Sequence, residues 1–175
     1  MVSANSPTNT VAIIPPVSPY GTFQGSLFQY SSNLVAFESS PIHQEGPLTH
    51  KCILIGGLSG GLIPTPYTKK LEEACHDSGW SLVQPLISSS YTGFGHGSLD
   101  RDTDELNALM EYLSYHRSAE VFALVGHSTG CQNSIHFLKH GKKEMIGKTK
   151  VSVILISLIW RYKQIRYFTI DIFDP

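Results

Sequence analysis

The sequence predicts an α/β fold, a mostly parallel sheet with helices on both faces. Short apolar runs read as buried strands at residues 51–55 (KCILI), 80–84 (WSLVQ) and 121–125 (VFALV). Segments with apolar residues at helical spacing lie between and after them. Glycine-rich turns follow the first and third of these strands directly. The order strand–helix–strand–helix–strand–turn–helix argues a parallel sheet covered on both faces. Right-handed crossovers would bring the loops that follow the strands to one C-terminal edge, where such sheets hold their ligands.

Taken in order, residues 1–20 contain Pro7, Pro15, Pro16 and Pro19 and read as an extended lead-in. Residues 26–30 (SLFQY) and 34–38 (LVAFE) flank Ser31-Ser32-Asn33 and read as two antiparallel strands at the sheet edge. A loop covers residues 39–50. After the strand at 51–55 comes Gly56-Gly57-Leu58-Ser59-Gly60-Gly61. This loop has no G-K-[S/T], so it is not a P-loop. Leu58 stands where a dinucleotide fingerprint would need its second glycine. It fits better as a loop after an early strand that donates a backbone N–H to an oxyanion; taken alone it would be a simple flexible turn.

The next helix has Thr65 as its expected cap, Pro66 in its first turn and Gly79 at its end. Tyr67, Leu71, Ala74 and Cys75 form its expected buried stripe. Pro85 and the Ser/Gly-rich loop LISSSYTGFGHGSL lead from the strand at 80–84 to a second helix. There Asp102 and Glu105 resemble a capping box, and Leu106, Leu109, Met110 and Leu113 make an apolar face.

The strand at 121–125 runs into Gly126-His127-Ser128-Thr129-Gly130. This is G-x-S-x-G, in which a serine sits on a strained turn between strand and helix, exposed above the sheet. The pentapeptide alone is weak, and an ordinary glycine-rich turn is its bland reading. The following segment, CQNSIHFLKH, supplies the helix the motif requires. Cys131, Ile135 and Leu138 share its predicted face, and Gly141 stands where a left-handed terminal residue is expected. Ser128 is thus the candidate nucleophile.

With 175 residues the chain suits one domain with a real core. Thirteen basic and 14 acidic residues leave a formal net charge of -1, which gives no electrostatic case for nucleic acid or an acidic membrane surface. Cys52, Cys75 and Cys131 each lie in an apolar pattern, without metal or disulfide spacing, and read as reduced buried thiols. The first twenty residues have neither the pattern of a signal peptide nor the arginines of a transit peptide. No apolar run approaches the ~20 residues of a membrane span. A cytoplasmic protein with no cofactor, no metal and no membrane partner is the expectation.

Three segments carry a family resemblance: IGGLSGGLIPTPY (55–67), WSLVQPLISSSYTGFGHGSL (80–99) and VGHSTGCQ (125–132). Over roughly residues 10–145 the chain resembles α/β-hydrolases of a plant and fungal family that includes fungal siderophore (fusarinine-type) esterases. The resemblance implies a serine hydrolase acting on a small-molecule ester, thioester or amide, with Ser128 as nucleophile. It also implies an oxyanion hole made by the backbone N–H groups of Leu58 and Thr129. Relatives often carry Asp where Gly60 stands. Acyl transfer or a lyase reaction on the same fold is a weaker alternative.

The chain departs from that family at its end. The triad of the fold runs Ser, then Asp or Glu, then His. After Ser128 the acids are Glu144, Asp171 and Asp174, and the histidines are His136 and His140, none in the expected surroundings. His127 reads as structural. His96 lies in a loop at the right edge of the sheet, and its ordinary reading is a solvated loop histidine. Residues 151–160 (VSVILISLIW) are strand-like, but RYKQIRYFTIDIFDP shows no helix, no turn and no family match. Lys150-Val151-Ser152 can be encoded AAG-GTA-AGT, an exon end followed by a plant-type splice donor. The expectation is therefore three parts: a lead-in at 1–20, the N-terminal part of a hydrolase domain at 21–150, and a tail at 151–175 that is retained-intron sequence. A genuine sixth strand with a short tail is the alternative. Lacking an acid and a histidine, this chain is expected to be inactive or nearly so, a truncated isoform or binding variant being the alternative to an enzyme.

Overall fold

A computed structural model describes residues 20–41, 45–93, 95–156 and 166–171. The lead-in expected at residues 1–20 lies almost wholly outside them. The described strands are β1 (Gly25–Ser31), β2 (Leu34–Ser39), β3 (His50–Ile55), β4 (Trp80–Pro85), β5 (Val121–His127), β6 (Thr149–Ile156) and β7 (Arg166–Asp171). The described helices are α1 (Thr68–Asp77), α2 (Leu99–His116), α3 (Thr129–His140) and α4 (Lys143–Lys148). One sheet contains all seven strands, in the order β1-β2-β4-β3-β5-β6-β7.

The four inner strands β4, β3, β5 and β6 run parallel, and β1, β2 and β7 are antiparallel to their neighbours. The expected edge pair is β1 and β2, which turn through Asn33 in the left-handed region (φ 60°). β6 pairs with β5 from Thr149 to Leu155, so one strand spans the point at residue 151 where the tail was expected to start. In the segment without visible helix or turn, β7 pairs with β6 from Arg166 to Asp171.

Side chains alternate along the strands and so build two cores. Ile53, Ile55, Phe122 and Leu124 pack with Leu106, Met110 and Phe137 from α2 and α3. Cys52, Leu54, Ala123 and Val125 pack on the other face with Cys75, Tyr67 and Leu71 of the α1 region. The near-continuous burial of β3, β4 and β5 follows from being covered on both sides.

Neighbouring strands β3 and β5 therefore send their following helices to opposite faces. Such a divergence opens a crevice at the C-terminal ends of the strands. The register Ile55↔Gly126 brings the loop after β3 level with the turn after β5. Both expected sites thus meet at one edge.

Several local expectations are corrected. Thr65 does not cap α1: it closes a turn in which Thr68 N–H donates to the Thr65 carbonyl, and the helix begins at Thr68. Ala74 is exposed, and the α1 stripe buries Glu72 instead, paired with Lys69. Gly79 does end the turn in the left-handed region (φ 76°). In α3 Ile135 is 39% exposed, while Phe137 is fully buried. The inward face there runs through Gly130, Asn133, Ser134 and Phe137, where small and polar side chains let the helix sit close to the sheet. Gly141 is extended (φ −65°, ψ 171°) rather than left-handed, because the chain turns directly into α4.

Candidate active site

Ser128 occupies a backbone conformation that non-glycine residues rarely adopt, with φ 55° and ψ −117°. Holding a serine there costs about 1–3 kcal/mol and requires surroundings that over-determine it. Those surroundings are the two glycines of the motif. A Cβ at Gly126 would lie 2.6 Å from the Gly130 carbonyl oxygen, and one at Gly130 would lie 2.2 Å from that of Ile55. With neither present, α3 leaves β5 sharply and Ser128 stands exposed at the turn.

The loop after β3 approaches from the other side. Gly60 N–H donates to the Gly57 carbonyl at 2.8 Å, closing a tight turn that presents Leu58 to solvent. Gly57 lies against the turn at Ser128. Leu58 and Thr129, the expected oxyanion donors, both line a cleft of about 190 Å³ at this edge. Ser128 is not among the lining residues, although its neighbours Gly57 and Thr129 are. The structure thus brings the three expected site residues to one place.

The expected structural role of His127 fits its contacts. Its Nδ1 is 3.0 Å from the Tyr67 hydroxyl, and the two rings meet edge to face. Burial holds its pKa below the ordinary imidazole range. His96 is exposed, and no hydrogen bond joins it to Ser128. His136 is engaged away from the turn, 2.8 Å from the Thr103 hydroxyl and 3.3 Å from Asp100. Among the described residues Ser128 Oγ accepts and donates no hydrogen bond, and none of them forms a group of three or more ligands able to hold a metal ion.

Sequence reasoning missed the polar wall of the cleft. The cap of α2 is Ser98, whose hydroxyl accepts from Arg101 N–H at 3.1 Å, so Asp102 and Glu105 are not a capping box. Glu105 accepts from the Ser88 N–H at 2.7 Å and from the Ser88 hydroxyl. Asp102 accepts from the Ser89 hydroxyl at 2.7 Å. These bonds tie the loop after β4 to α2. Asp102, Ser89 and Asn133 all line the cleft. The available signal was the run of three serines at 88–90, one helical start away from two acids.

Residues 13–158 match the family described as "Protein of unknown function (DUF1749)", a stretch that runs past the residue-145 limit of the resemblance and through β6. Fusarinine C esterase sidJ of Aspergillus fumigatus is 35% identical over 128 residues, covering 69% of this chain and 36% of its own. The solved siderophore hydrolase EstB from Aspergillus fumigatus is similar at a TM-score of 0.58 and 34% identity, over 70% of this chain and 38% of that one. A solved "Alpha/Beta hydrolase fold protein of unknown function" superposes at a TM-score of 0.61 and 18% identity, over 77% of this chain and 44% of that one. The fold is thus that of the α/β-hydrolases, as the three segments implied. The chain spans between 35% and 39% of the length of the curated relatives it matches.

Proposed function

The chain belongs to the DUF1749 family, and on that premise we infer that it carries the nucleophile side of a serine esterase site. Ser128 attacks the carbonyl of a small-molecule ester, thioester or amide and forms an acyl-enzyme. The N–H groups of Leu58 and Thr129 receive the oxyanion. The observation that carries this reading is the backbone of Ser128, strained at φ 55° between β5 and α3. Relatives named as esterases support it, and fusarinine C is the first natural ester to try, because one of them is named for it.

Attack by a serine needs a base to take its proton. Among the described residues no histidine or carboxylate is bonded to Ser128 Oγ, so the base and its acid partner belong to a part of the fold outside them. Removing the histidine from a serine protease costs on the order of 10⁶ in kcat. Oxyanion stabilisation and binding alone retain ~10³–10⁴ over water. The described residues by themselves are therefore expected to support little or no hydrolysis. The unpartnered Oγ also favours a second reading, a non-catalytic binding variant of the hydrolase fold.

No helix among the described residues is long and apolar enough to cross a membrane. The near-neutral charge supports a small-molecule substrate over nucleic acid, and the three buried free thiols support the reducing cytoplasm. The test is hydrolysis of 4-nitrophenyl acetate. A slow rate above background that Ser128→Ala abolishes supports the esterase reading. A rate equal in the two proteins leaves the binding variant.

A further inference from the structure

Asp102 sits in the first turn of α2, only 4% exposed, in the wall of the cleft that Leu58 and Thr129 also line. The helix does not need it, because Ser98 is the cap. Its Oδ2 is satisfied by the Ser89 hydroxyl at 2.7 Å. Its Oδ1 is buried and has no hydrogen-bond partner among the described residues. The Asn133 amide faces the carboxylate and favours its charge, yet no bond of ordinary geometry reaches Oδ1. Burial pushes the Asp102 pKa up, and the Glu105 charge adds to that, while Ser89, Arg101 and Asn133 pull it back.

A buried carboxylate oxygen without a donor is costlier than a neutral polar atom in the same place. Buried polar groups of native proteins are overwhelmingly paired, so this one awaits a partner from the cleft. An ionised carboxylate can only accept. The N-terminal turn of an 18-residue helix favours its charge further. Resting on Ser128 as the nucleophile, we propose that Asp102 is a specificity-determining residue whose Oδ1 accepts a hydrogen bond from an O–H or N–H group on the bound ester. The substrate class is then an ester carrying a hydrogen-bond donor a few atoms from its carbonyl. A cleft of about 190 Å³ holds only one limb of such a molecule, with the carbonyl at its Leu58 and Thr129 side.

The test compares two esters of one shape by NMR titration of the intact chain. Ethyl 3-hydroxybutanoate carries a hydroxyl where ethyl 3-methylbutanoate carries a methyl. The hydroxy ester should bind about 10-fold more tightly, the discrimination expected of a hydrogen bond to a charged group. In Asp102→Asn the side-chain carbonyl can stay with Ser89 while the amide, a donor, replaces Oδ1. The ratio should then fall several-fold, because only a weaker neutral hydrogen bond, from the amide to the hydroxyl oxygen, can replace the one to the carboxylate. Equal binding of the two esters by the wild-type chain, as expected if Oδ1 merely holds a structural water, overturns the proposal. So does a preference that is undiminished in Asp102→Asn. The wild-type comparison stands even if that variant does not fold. The reading of Ser128 is judged separately: if neither ester shifts the Gly57 and Thr129 amide resonances, that reading fails, and this inference with it.

Discussion

Gly57 touches Ser128 so closely that a Cβ on Gly57 would lie 3.1 Å from the serine Cβ and 3.4 Å from the His127 ring. The loop after β3 and the turn after β5 therefore constrain each other, and neither can move without the other. Gly57→Ala should force a shift of a few tenths of an ångström at the turn that holds Ser128. Overpacking of this kind costs about 1–3 kcal/mol. Labelling of Ser128 by a fluorophosphonate should slow by about 10-fold, with the denaturation midpoint falling only modestly. An unchanged labelling rate would show that the loop does not position the serine.

Gly130→Ala should be far worse for the fold than for the chemistry. The new methyl would meet two carbonyl oxygens of the β3 terminus, those of Ile55 at 2.2 Å and Gly56 at 2.6 Å. Backbone atoms at the end of a buried strand have nowhere to go. A loss of about 3 kcal/mol is expected in chemical denaturation, at the upper end of overpacking costs. A loss under about 1 kcal/mol would mean that α3 sits further from β3 than described.

Strain at Ser128 predicts a gain of stability when glycine replaces the serine. Ser128→Gly should stabilise the chain by about 1 kcal/mol, since glycine adopts φ 55° without the Cβ penalty. Ser128→Ala keeps the Cβ and should leave stability near wild type. Denaturant midpoints of the two variants decide it. Equal midpoints would remove the case for strain at Ser128.

Two acid-sensitive steps are expected in the stability curve. Burial would raise the Glu38 pKa, but hydrogen bonds from Lys51, Ser81 and Arg117 outweigh it and hold the carboxyl below its ordinary 4.5. A carboxyl lowered in the folded state stabilises at pH values above 4.5, and that stability disappears as pH falls through the depressed value. His127 behaves as a base lowered by burial. The unfolded chain takes up its proton near 6.5 and the folded chain only at lower pH, so stability declines as pH drops through 6.5. Urea midpoints from pH 8 to 3 should fall in both windows. Glu38→Gln should remove the lower step. It should also cost about 3–5 kcal/mol at pH 7, because Lys51, 2% exposed and 2.5 Å from Glu38, is left buried beside a neutral group. A lower step that persists in Glu38→Gln would assign it to other carboxyls.

The sheet was legible because β3, β4 and β5 are buried on both faces and read as largely apolar runs. The strand–turn–helix at Ser128 was legible because close approach permits only glycine at 126 and 130. The α2 face of Leu106, Leu109, Met110 and Leu113 was readable for the same reason of period, and all four are fully buried. What failed were the inferences about how the helices start and end and which polar side chains they bury. Asp102 and Glu105 have the spacing of a cap, and nothing local reveals that Ser98 caps the helix while both acids hold the loop after β4. The inward face of α3 includes Asn133 and Ser134, so a stripe drawn through Ile135 pointed the wrong way. Glu72, a buried glutamate beside Lys69, hides in what looks like a solvated stripe. Helix α4 is too short for period to show, and Gly141 was misread because a glycine after a helix is usually left-handed.

In the proposed function Ser128 is an esterase nucleophile whose base is not among the described residues. The most direct measurement is the rate at which a fluorophosphonate labels this chain, set beside the siderophore hydrolase EstB from Aspergillus fumigatus, with the modified residue located by mass spectrometry. Labelling confined to Ser128, lost in Ser128→Ala, and at least ~10³-fold slower than in EstB is the predicted result. Labelling of Ser128 at the rate of EstB would contradict it, and would mean that a base already stands within this chain.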